Sequence, residues 1–230
     1  MAPQNLSKKT VKKICSKLNK QYEPNNHGNY SDVFNEILYI FLTWRGSIKM
    51  ALRLIQSLEQ NGISHQELFA WTEDQWYQFL EPAGKAKDKA PVCYRLMQKI
   101  REDFRSPENL NLLGRFSDEQ LINYLTTLPG IKLKSALCVM LYSLNRAVFP
   151  ADSHCLRILN RIGCIHLDIR SKQQREQAQA ELNQAIRGDY QLCYELHTLF
   201  IVHGKKTCGR IPRCELCCLK PLCAYSAAST

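Results

Sequence analysis

Apolar residues recur along the chain with the 3.6-residue period of amphipathic helices, and no segment reads convincingly as a strand. The first such pattern predicts a helix that begins at Ser31, and a second predicts one that ends near Gly62. Their apolar positions are Phe34, Ile37, Leu38, Phe41 and Leu42, followed by Ile48, Ala51, Leu52, Ile55 and Leu58. The pattern therefore predicts an all-α fold.

Four further helix starts are indicated by capping boxes, in which Glu or Gln follows a Ser or Thr after three positions. These pairs are Ser64 with Glu67, Thr72 with Gln75, Ser117 with Gln120, and Ser171 with Gln174. The helix after Ser171 is rich in alanine and glutamine and is predicted to end at Gly188. Residues 105–115, in contrast, are interpreted as a loop or linker.

Composition places the chain among globular proteins. Its 230 residues are 45% hydrophobic and 23% charged, which excludes a mostly disordered or collagen-like chain. Apolar runs such as residues 37–42 are far shorter than the about 20 residues that a membrane span requires. The N-terminus has no apolar signal segment. We therefore expect no membrane partner and an intracellular location, in the cytoplasm or nucleoid.

Positive charge is concentrated at two places. The formal net charge is +10; residues 1–20 hold six lysines and no acid, and residues 201–223 hold five basic residues against Glu215. Clustered positive charge is typical of surfaces that bind nucleic acid. A basic surface that is merely solvated remains the alternative at this point.

Residues 117–144 predict two short helices joined by a tight turn. The first helix extends to about Thr127, the turn is Leu128-Pro129-Gly130, and the second helix begins near Leu133. Backbone N–H groups at such a turn, together with the positive end of the second helix, can bind a phosphate. An ordinary helical hairpin is the alternative interpretation.

Two residues near this hairpin can carry chemistry. Lys134 lies in the first turn of the second helix, where the positive end of the helix favours a neutral amine. A neutral amine can attack the C1′ atom of a sugar and form a Schiff base. Asp152, in a loop before a further helix, could accept a proton or stabilise positive charge on the sugar. Taken in isolation, both residues would be interpreted as ordinary surface side chains.

Five of the eleven cysteines lie in the last 23 residues. Four of them, Cys208, Cys214, Cys217 and Cys223, have the spacing C-x5-C-x2-C-x5-C, and Cys218 is an additional neighbour. In a reducing compartment such a group indicates a metal site more than disulfides. Four thiolates suit either a [4Fe–4S] cluster or a structural zinc ion.

Several segments resemble the helix–hairpin–helix DNA glycosylases of the endonuclease III type. They are LPGIKLKSA, ADSHCLRILNR and HGKKTCGRIPRCELCCLKPLCAY, in the family's order and spacing. NYSDVFNEILYIFLTWR resembles the family's first core helix, and LEPAGKAKDKA resembles its glycine-and-lysine loop. Two segments, LKSALCVMLYSLNRAVFPADS and YELHTLFIVHGKKTC, look closer to the plant 5-methylcytosine glycosylases.

The resemblance implies a role for individual residues. Lys134 matches the family's nucleophile and Asp152 its catalytic aspartate. Arg45 stands where the family has the glutamine that fills the gap left by the extruded base, and Lys132 replaces the hairpin's second glycine. The residues expected to contact DNA are Arg45, Gly130, Lys132, His154, Lys205 and Lys206.

The resemblance also decides between the two metals, because the family's segment of this kind holds a [4Fe–4S] cluster. The expected ligands are Cys208, Cys214, Cys217 and Cys223, although the first gap is one residue shorter than in the family. Cys217 is preferred over Cys218 because it preserves both later gaps.

The fold implied is all-α and two-lobed. Residues 23–145 would form a helical barrel that ends in the hairpin motif, and residues 1–22 with 146–230 would form the lobe with the cluster. The expected protein is a monomeric DNA glycosylase with abasic-site lyase activity, acting on double-stranded DNA with a damaged base, foremost an oxidised pyrimidine. The alternatives are a monofunctional glycosylase, a non-catalytic module that binds damaged DNA, and a zinc-bound adaptor for nucleic acid.

Overall fold

The computed structural model describes residues 5–25, 27–44, 46–168 and 171–228. Within these ranges the chain is mostly helical, and the pairing of Cys208 with Pro212 is an isolated β-bridge rather than part of a strand. The chain divides into two compact units, residues 27–144 and residues 1–26 with 145–230. No helix in the described ranges is both long and apolar enough to cross a membrane.

Each unit is built from a separate set of helices. The first unit contains α2 Val33–Thr43, α3 Ile48–Gln60, α4 His65–Leu68, α5 Glu73–Leu80, α6 Ala86–Phe104, α7 Asp118–Leu125 and α8 Leu133–Tyr142. The second contains α1 Lys8–Asn19, α9 Ser153–Ile162, α10 Lys172–Ala185, α11 Tyr190–Lys206 and α12 Ala224–Ala228. Short 3₁₀ helices cover Glu81–Ala83, Pro107–Arg115, Cys214–Leu216 and Lys220–Leu222.

Helix α2 is the central helix of the first unit. It is apolar around most of its circumference, as expected of a helix buried on several sides, and it packs against α3, α8 and the 3₁₀ helix Pro107–Arg115. Its first residue follows Asp32, whose Oδ1 accepts a hydrogen bond from the N–H of Asn35 at 2.8 Å. The predicted start at Ser31 was one residue early, because the aspartate rather than the serine caps the helix.

Three of the four predicted capping boxes form both of their hydrogen bonds. Ser64, Thr72 and Ser117 each accept from the backbone three residues on, and the Glu or Gln there accepts in return. The fourth is incomplete. Ser171 accepts from the N–H of Gln174 at 3.4 Å, but the side chain of Gln174 accepts from the N–H of Asp168 at 2.6 Å.

The interpretation of residues 105–115 as a loop or linker was wrong. Pro107–Arg115 forms a 3₁₀ helix that packs against α2 and α6. Residues three apart lie above one another in a 3₁₀ helix, and this places Pro107, Leu110 and Leu113 together in the core. A search for a 3.6-residue period does not detect this spacing.

In the second unit, α11 packs against α1 and α9. The lysine-rich α1 is amphipathic: Val11, Ile14 and Leu18 are fully buried, while Lys8 and Lys12 lie 3.4 and 3.5 Å from the Asp189 carboxylate. The basic N-terminal segment is therefore a packed helix whose apolar face belongs to the core.

The buried face of the 3₁₀ helix provides a test of its structural role. Replacing Leu110, which is fully buried, by Ala should lower the free energy of unfolding by about 2–5 kcal/mol in urea titrations. The matched variant Leu112→Ala removes a side chain that is 43% exposed and should change it by about 0.5 kcal/mol or less. Similar small effects at both positions would show that the segment behaves as a linker.

Candidate active site

Gly130 determines the shape of the turn between α7 and α8. Its φ is +81°, and a Cβ at this position would lie 3.1 Å from Val92 Cγ1 and 3.2 Å from Phe41 Cε2. The turn is closed by the N–H of Ile131, which donates to the carbonyl of Leu128 at 3.0 Å. Both the backbone angle and the available space therefore require glycine here.

Lys132 has an extended backbone, with φ −110° and ψ 173°, so its position does not require a glycine. It is exposed, occupies the N-cap of α8 and provides no side-chain cap. The first turn of a helix carries partial positive charge, which favours an anion at this end. The start of α8 at Leu133 is as predicted, whereas α7 ends at Leu125, two residues earlier than expected.

Lys134, the second residue of α8, is exposed. In the core beneath it, burial raises the pKa of Glu36 to about 8, while a hydrogen bond from the Tyr30 N–H and the charge of Lys134 act to lower it. The Glu36 carboxyl is thus largely uncharged at neutral pH. Glu36 lies within electrostatic range of Lys134.

Asp152 is the N-cap of α9 and is half-buried. Its Oδ1 accepts a hydrogen bond from the N–H of Cys155 at 2.8 Å. Asp152, Cys155 and the buried His197 each offer one potential metal-ligand atom. These three atoms lie within 4.8 Å of one another. The carboxylate is thereby fixed at the positive end of a helix, which favours its charged form.

His154 connects α9 with the end of α11. Arg157 Nη2 lies 3.0 Å from His154 Nδ1, and since a guanidinium can only donate, Nδ1 accepts and the ring is neutral. Burial lowers the pKa of His154; Asp152 opposes this effect, and Arg157 and Lys205 add to it. Asp152, His154 and Lys205 therefore lie close enough to interact.

Gly204 allows α11 to approach His154. A Cβ at this position would lie 2.3 Å from His154 Nδ1, closer than any real contact. The Gly204 carbonyl accepts a hydrogen bond from Arg157 Nη2 at 3.1 Å. Only glycine leaves room for this arrangement.

Four of the five C-terminal cysteines line one small cavity. They are Cys208, Cys214, Cys217 and Cys223, the four predicted ligands. The fifth, Cys218, does not line it, and its N–H donates to Gln21 Oε1 at 3.3 Å.

Arg161 of α9 holds this cysteine segment from one side. Its Nη1 donates to the carbonyl of Gly209 at 2.7 Å and to Cys208 Sγ at 3.3 Å. Its Nη2 donates to the carbonyl of Arg210 at 3.0 Å, and its guanidinium lies 5.1 Å from the ring centre of Tyr225. These bonds hold the backbone that follows Cys208 against α9.

Four thiols around one cavity are the donor set of a thiolate-bound metal group. Both a [4Fe–4S] cluster and a tetrahedral zinc ion take four thiolates. The residues present therefore fit a group of this kind.

The remaining predicted DNA contacts are distributed as follows. Lys205 and Lys206 are exposed in the last turn of α11, and Arg45 lies outside the described residues. Arg157 and Arg161 were not singled out from the sequence. The two arginines are four residues apart and therefore lie on the same face of α9, which the sequence does show. The sequence does not show which segment that face contacts.

Curated proteins of similar sequence include endonuclease III proteins and plant DEMETER-like proteins. The endonuclease III of Sulfolobus acidocaldarius is 25% identical over 206 residues, which cover 86% of this chain and 84% of that protein. DEMETER-like protein 3 of Arabidopsis thaliana is 30% identical over 150 residues, 59% of this chain but 14% of the plant protein. No protein-family model matches the chain. The predicted resemblance to helix–hairpin–helix DNA glycosylases of the endonuclease III type is confirmed.

Solved structures show the same fold. A non-covalent endonuclease III–DNA complex and a trapped endonuclease III–DNA covalent intermediate each superpose with a TM-score of 0.75. Each match covers 97% of this chain and 98% of the other at 18% identity. The predicted all-α, two-lobed glycosylase fold is confirmed.

The close approach at Gly204 can be tested with a matched pair of variants. Gly204→Ala should destabilise the protein by about 1–3 kcal/mol, because the new methyl group overlaps the His154 ring. Gly209→Ala, whose Cβ would lie 3.6 Å from the Ile211 carbonyl oxygen, should change stability by about 0.5 kcal/mol or less. Thermal unfolding of the two proteins measures the difference, and equal midpoints would contradict the steric argument.

Proposed function

We propose that this protein is a DNA glycosylase of base excision repair that also cleaves abasic sites through a Schiff base. The observation that carries the proposal is the exposed Lys134, placed in the first turn of α8 directly after a glycine-dependent hairpin. The similarity to endonuclease III over most of the chain supports it. So does the solved covalent intermediate of an endonuclease III with DNA.

In the proposed reaction the Lys134 amine attacks C1′ of the target deoxyribose. The N-glycosidic bond breaks, the base leaves with the bonding electrons, and the sugar opens to an imine on Lys134. Loss of a proton from C2′ then expels the 3′ phosphate, which cuts the strand by β-elimination. The amine must be neutral to attack, and the positive end of α8 favours that form.

Asp152 is proposed to stabilise the positive charge that develops on the sugar as the base leaves. This requires a carboxylate, and the bond from the Cys155 N–H at 2.8 Å keeps the group oriented and favours its charged form.

Phosphate contacts are proposed at two surfaces. One is the hairpin, where Gly130 and Lys132 precede the N-terminus of α8. The other combines Lys205 and Lys206 with His154, whose neutral ring can donate from Nε2. Arg45 is proposed to fill the space left by the extruded base and to contact its partner.

The cofactor is proposed to be a [4Fe–4S] cluster on Cys208, Cys214, Cys217 and Cys223. The cavity that the four cysteines share and the similarity to endonuclease III support this choice. Its role is structural, since it would close the segment that follows Lys205 and Lys206.

The substrate is proposed to be double-stranded DNA with an oxidised pyrimidine such as thymine glycol, bound by a monomer. A 5-methylcytosine, or its oxidised form, ranks second because of the resemblance to the plant enzymes. A normal, well-stacked base costs more to extrude than a damaged one, which ranks the damaged base first.

The nucleophile can be tested by borohydride trapping on duplexes with an abasic site, thymine glycol, uracil or 5-methylcytosine. The wild-type protein should form a covalent adduct, and Lys134→Ala should reduce it to background while DNA binding persists. Lys132→Ala, two residues earlier in the same basic turn, should still be trapped. Undiminished trapping of Lys134→Ala would reject the assignment.

The same gels separate the alternatives. Base release without strand cleavage would indicate a monofunctional enzyme that uses Asp152 and water. Binding without release of any base would indicate a module that only recognises damage.

The ligand set can be tested by iron analysis and visible absorption of single Cys→Ser variants. Replacing Cys208, Cys214, Cys217 or Cys223 should remove iron and lower the midpoint of thermal unfolding, because each lines the cavity. Cys218→Ser is the matched control and should retain iron. Zinc without iron in anaerobically purified wild-type protein would exclude the cluster.

A further inference from the structure

Asp152, Cys155 and His197 bring three metal-ligating groups together in the second unit. Cys155 follows Asp152 by three positions, so the two residues lie close together at the start of α9. His197 lies in the middle of α11, which packs against α9. One carboxylate oxygen, the Cys155 Sγ and one ring nitrogen all lie within 4.8 Å of one another. Two helices thus present ligand atoms to a common point.

The three groups are held in place by their surroundings. The Asp152 carboxylate accepts a hydrogen bond from the Cys155 N–H at 2.8 Å, which restrains both residues at the helix start. Cys155 is fully buried, and His197 is 1% exposed with its ring edge-to-face against Phe149 at a centroid distance of 5.7 Å. Asp152 is half-buried. Solvent therefore reaches this group of residues at the carboxylate.

The types of ligand match zinc. Zinc binds imidazole nitrogen, thiolate sulfur and carboxylate oxygen, whereas calcium and magnesium prefer oxygen alone. Zinc–ligand bonds of about 2.0–2.3 Å in tetrahedral geometry place ligand atoms about 3.3–3.5 Å apart. Atoms that already lie within 4.8 Å of one another would each need to move by less than about 1 Å. The Cys155 thiol would release its proton to solvent, and thiolate and carboxylate together would balance the charge of the ion.

We propose that Asp152, Cys155 and His197 form a zinc-binding site and that zinc bound there blocks the Asp152 carboxylate. A carboxylate has two oxygens and about four acceptor sites, so Asp152 can keep its bond to the Cys155 N–H while it binds the ion. Zinc binding follows from the geometry of the three residues. The inhibition rests on the proposed glycosylase function, because a carboxylate neutralised by zinc no longer stabilises positive charge on the sugar.

Zinc binding is tested by equilibrium dialysis of the full chain against buffered free zinc, with zinc and iron measured in the same samples. The wild type should bind one zinc ion more than Cys155→Ala, which keeps the backbone N–H but lacks the sulfur. Cys164→Ala is the matched control and should bind zinc as the wild type does, since Cys164 is also buried but lies beyond the end of α9. The iron content should stay constant, which separates this site from the four C-terminal cysteines.

His197→Phe provides a second route in case Cys155→Ala does not fold. Phenylalanine preserves a ring that can pack against Phe149 and removes both ring nitrogens. Each variant should weaken zinc binding by more than about tenfold, because even the loss of a group that supports a metal ligand has an effect of this size. Equal zinc binding by the wild type and either folded variant, or zinc uptake only in proportion to iron lost, would overturn the site.

The inhibition is measured as the ratio of single-turnover excision rates with and without zinc, on the thymine glycol or 5-methylcytosine duplex that the wild type processes. At free zinc about tenfold above the wild-type Kd, about 90% of the wild type is occupied, and its excision should slow by about tenfold. Cys155→Ala, which should bind at least about tenfold more weakly, would be at most about half occupied and should slow by about twofold at most.

Two results would overturn the inhibition: equal slowing of both proteins, or wild-type excision that zinc leaves unchanged at full occupancy. A wild type that releases no base from any duplex would instead reject the glycosylase function itself. The dialysis measurement would still decide in that case whether Asp152, Cys155 and His197 bind zinc.

Discussion

Two arginines of α9 connect the candidate catalytic carboxylate with the cysteine segment. Arg157 donates to the carbonyls of Gly204 and Cys208, and Arg161 to those of Gly209 and Arg210. Hydrogen bonds from a charged group contribute about 1.5–3 kcal/mol each, so four of them join α9 firmly to this segment. Asp152 caps the same helix, and its position is therefore coupled to the conformation of the cysteines.

A similar dependence exists in the first unit, where neighbouring elements pack on the end of α2. Phe41 of α2 lies against Gly130 of the hairpin, so the turn before α8 is shaped by the core helix. One residue further, the Leu42 carbonyl accepts a hydrogen bond from Lys89 of α6. Successive residues at the end of α2 thus contact the hairpin on one side and α6 on the other.

Features that depend on local sequence were predictable, whereas features that depend on distant partners were not. The capping boxes at Ser64, Thr72 and Ser117 require only residues three positions apart. The box at Ser171 is incomplete because Asp168, outside the motif, takes the side chain of Gln174. Lys89 stands in a lysine-rich stretch that suggests a solvated surface, and only the open carbonyl of another helix explains its burial.

The contrast between Lys134 and Lys89 shows how the helix fold assigns opposite tasks to one residue type. Lys134, the proposed nucleophile, lies at the positive end of α8. Lys89 lies at the negative end of α2, where its Nζ donates a hydrogen bond to the Leu42 carbonyl. The two lysines also differ in exposure. Lys134 is exposed, as a side chain that reaches a substrate must be, whereas Lys89 is buried. The position of each lysine relative to a helix end, more than its neighbours in sequence, therefore determines whether it can act as a reagent or as a support.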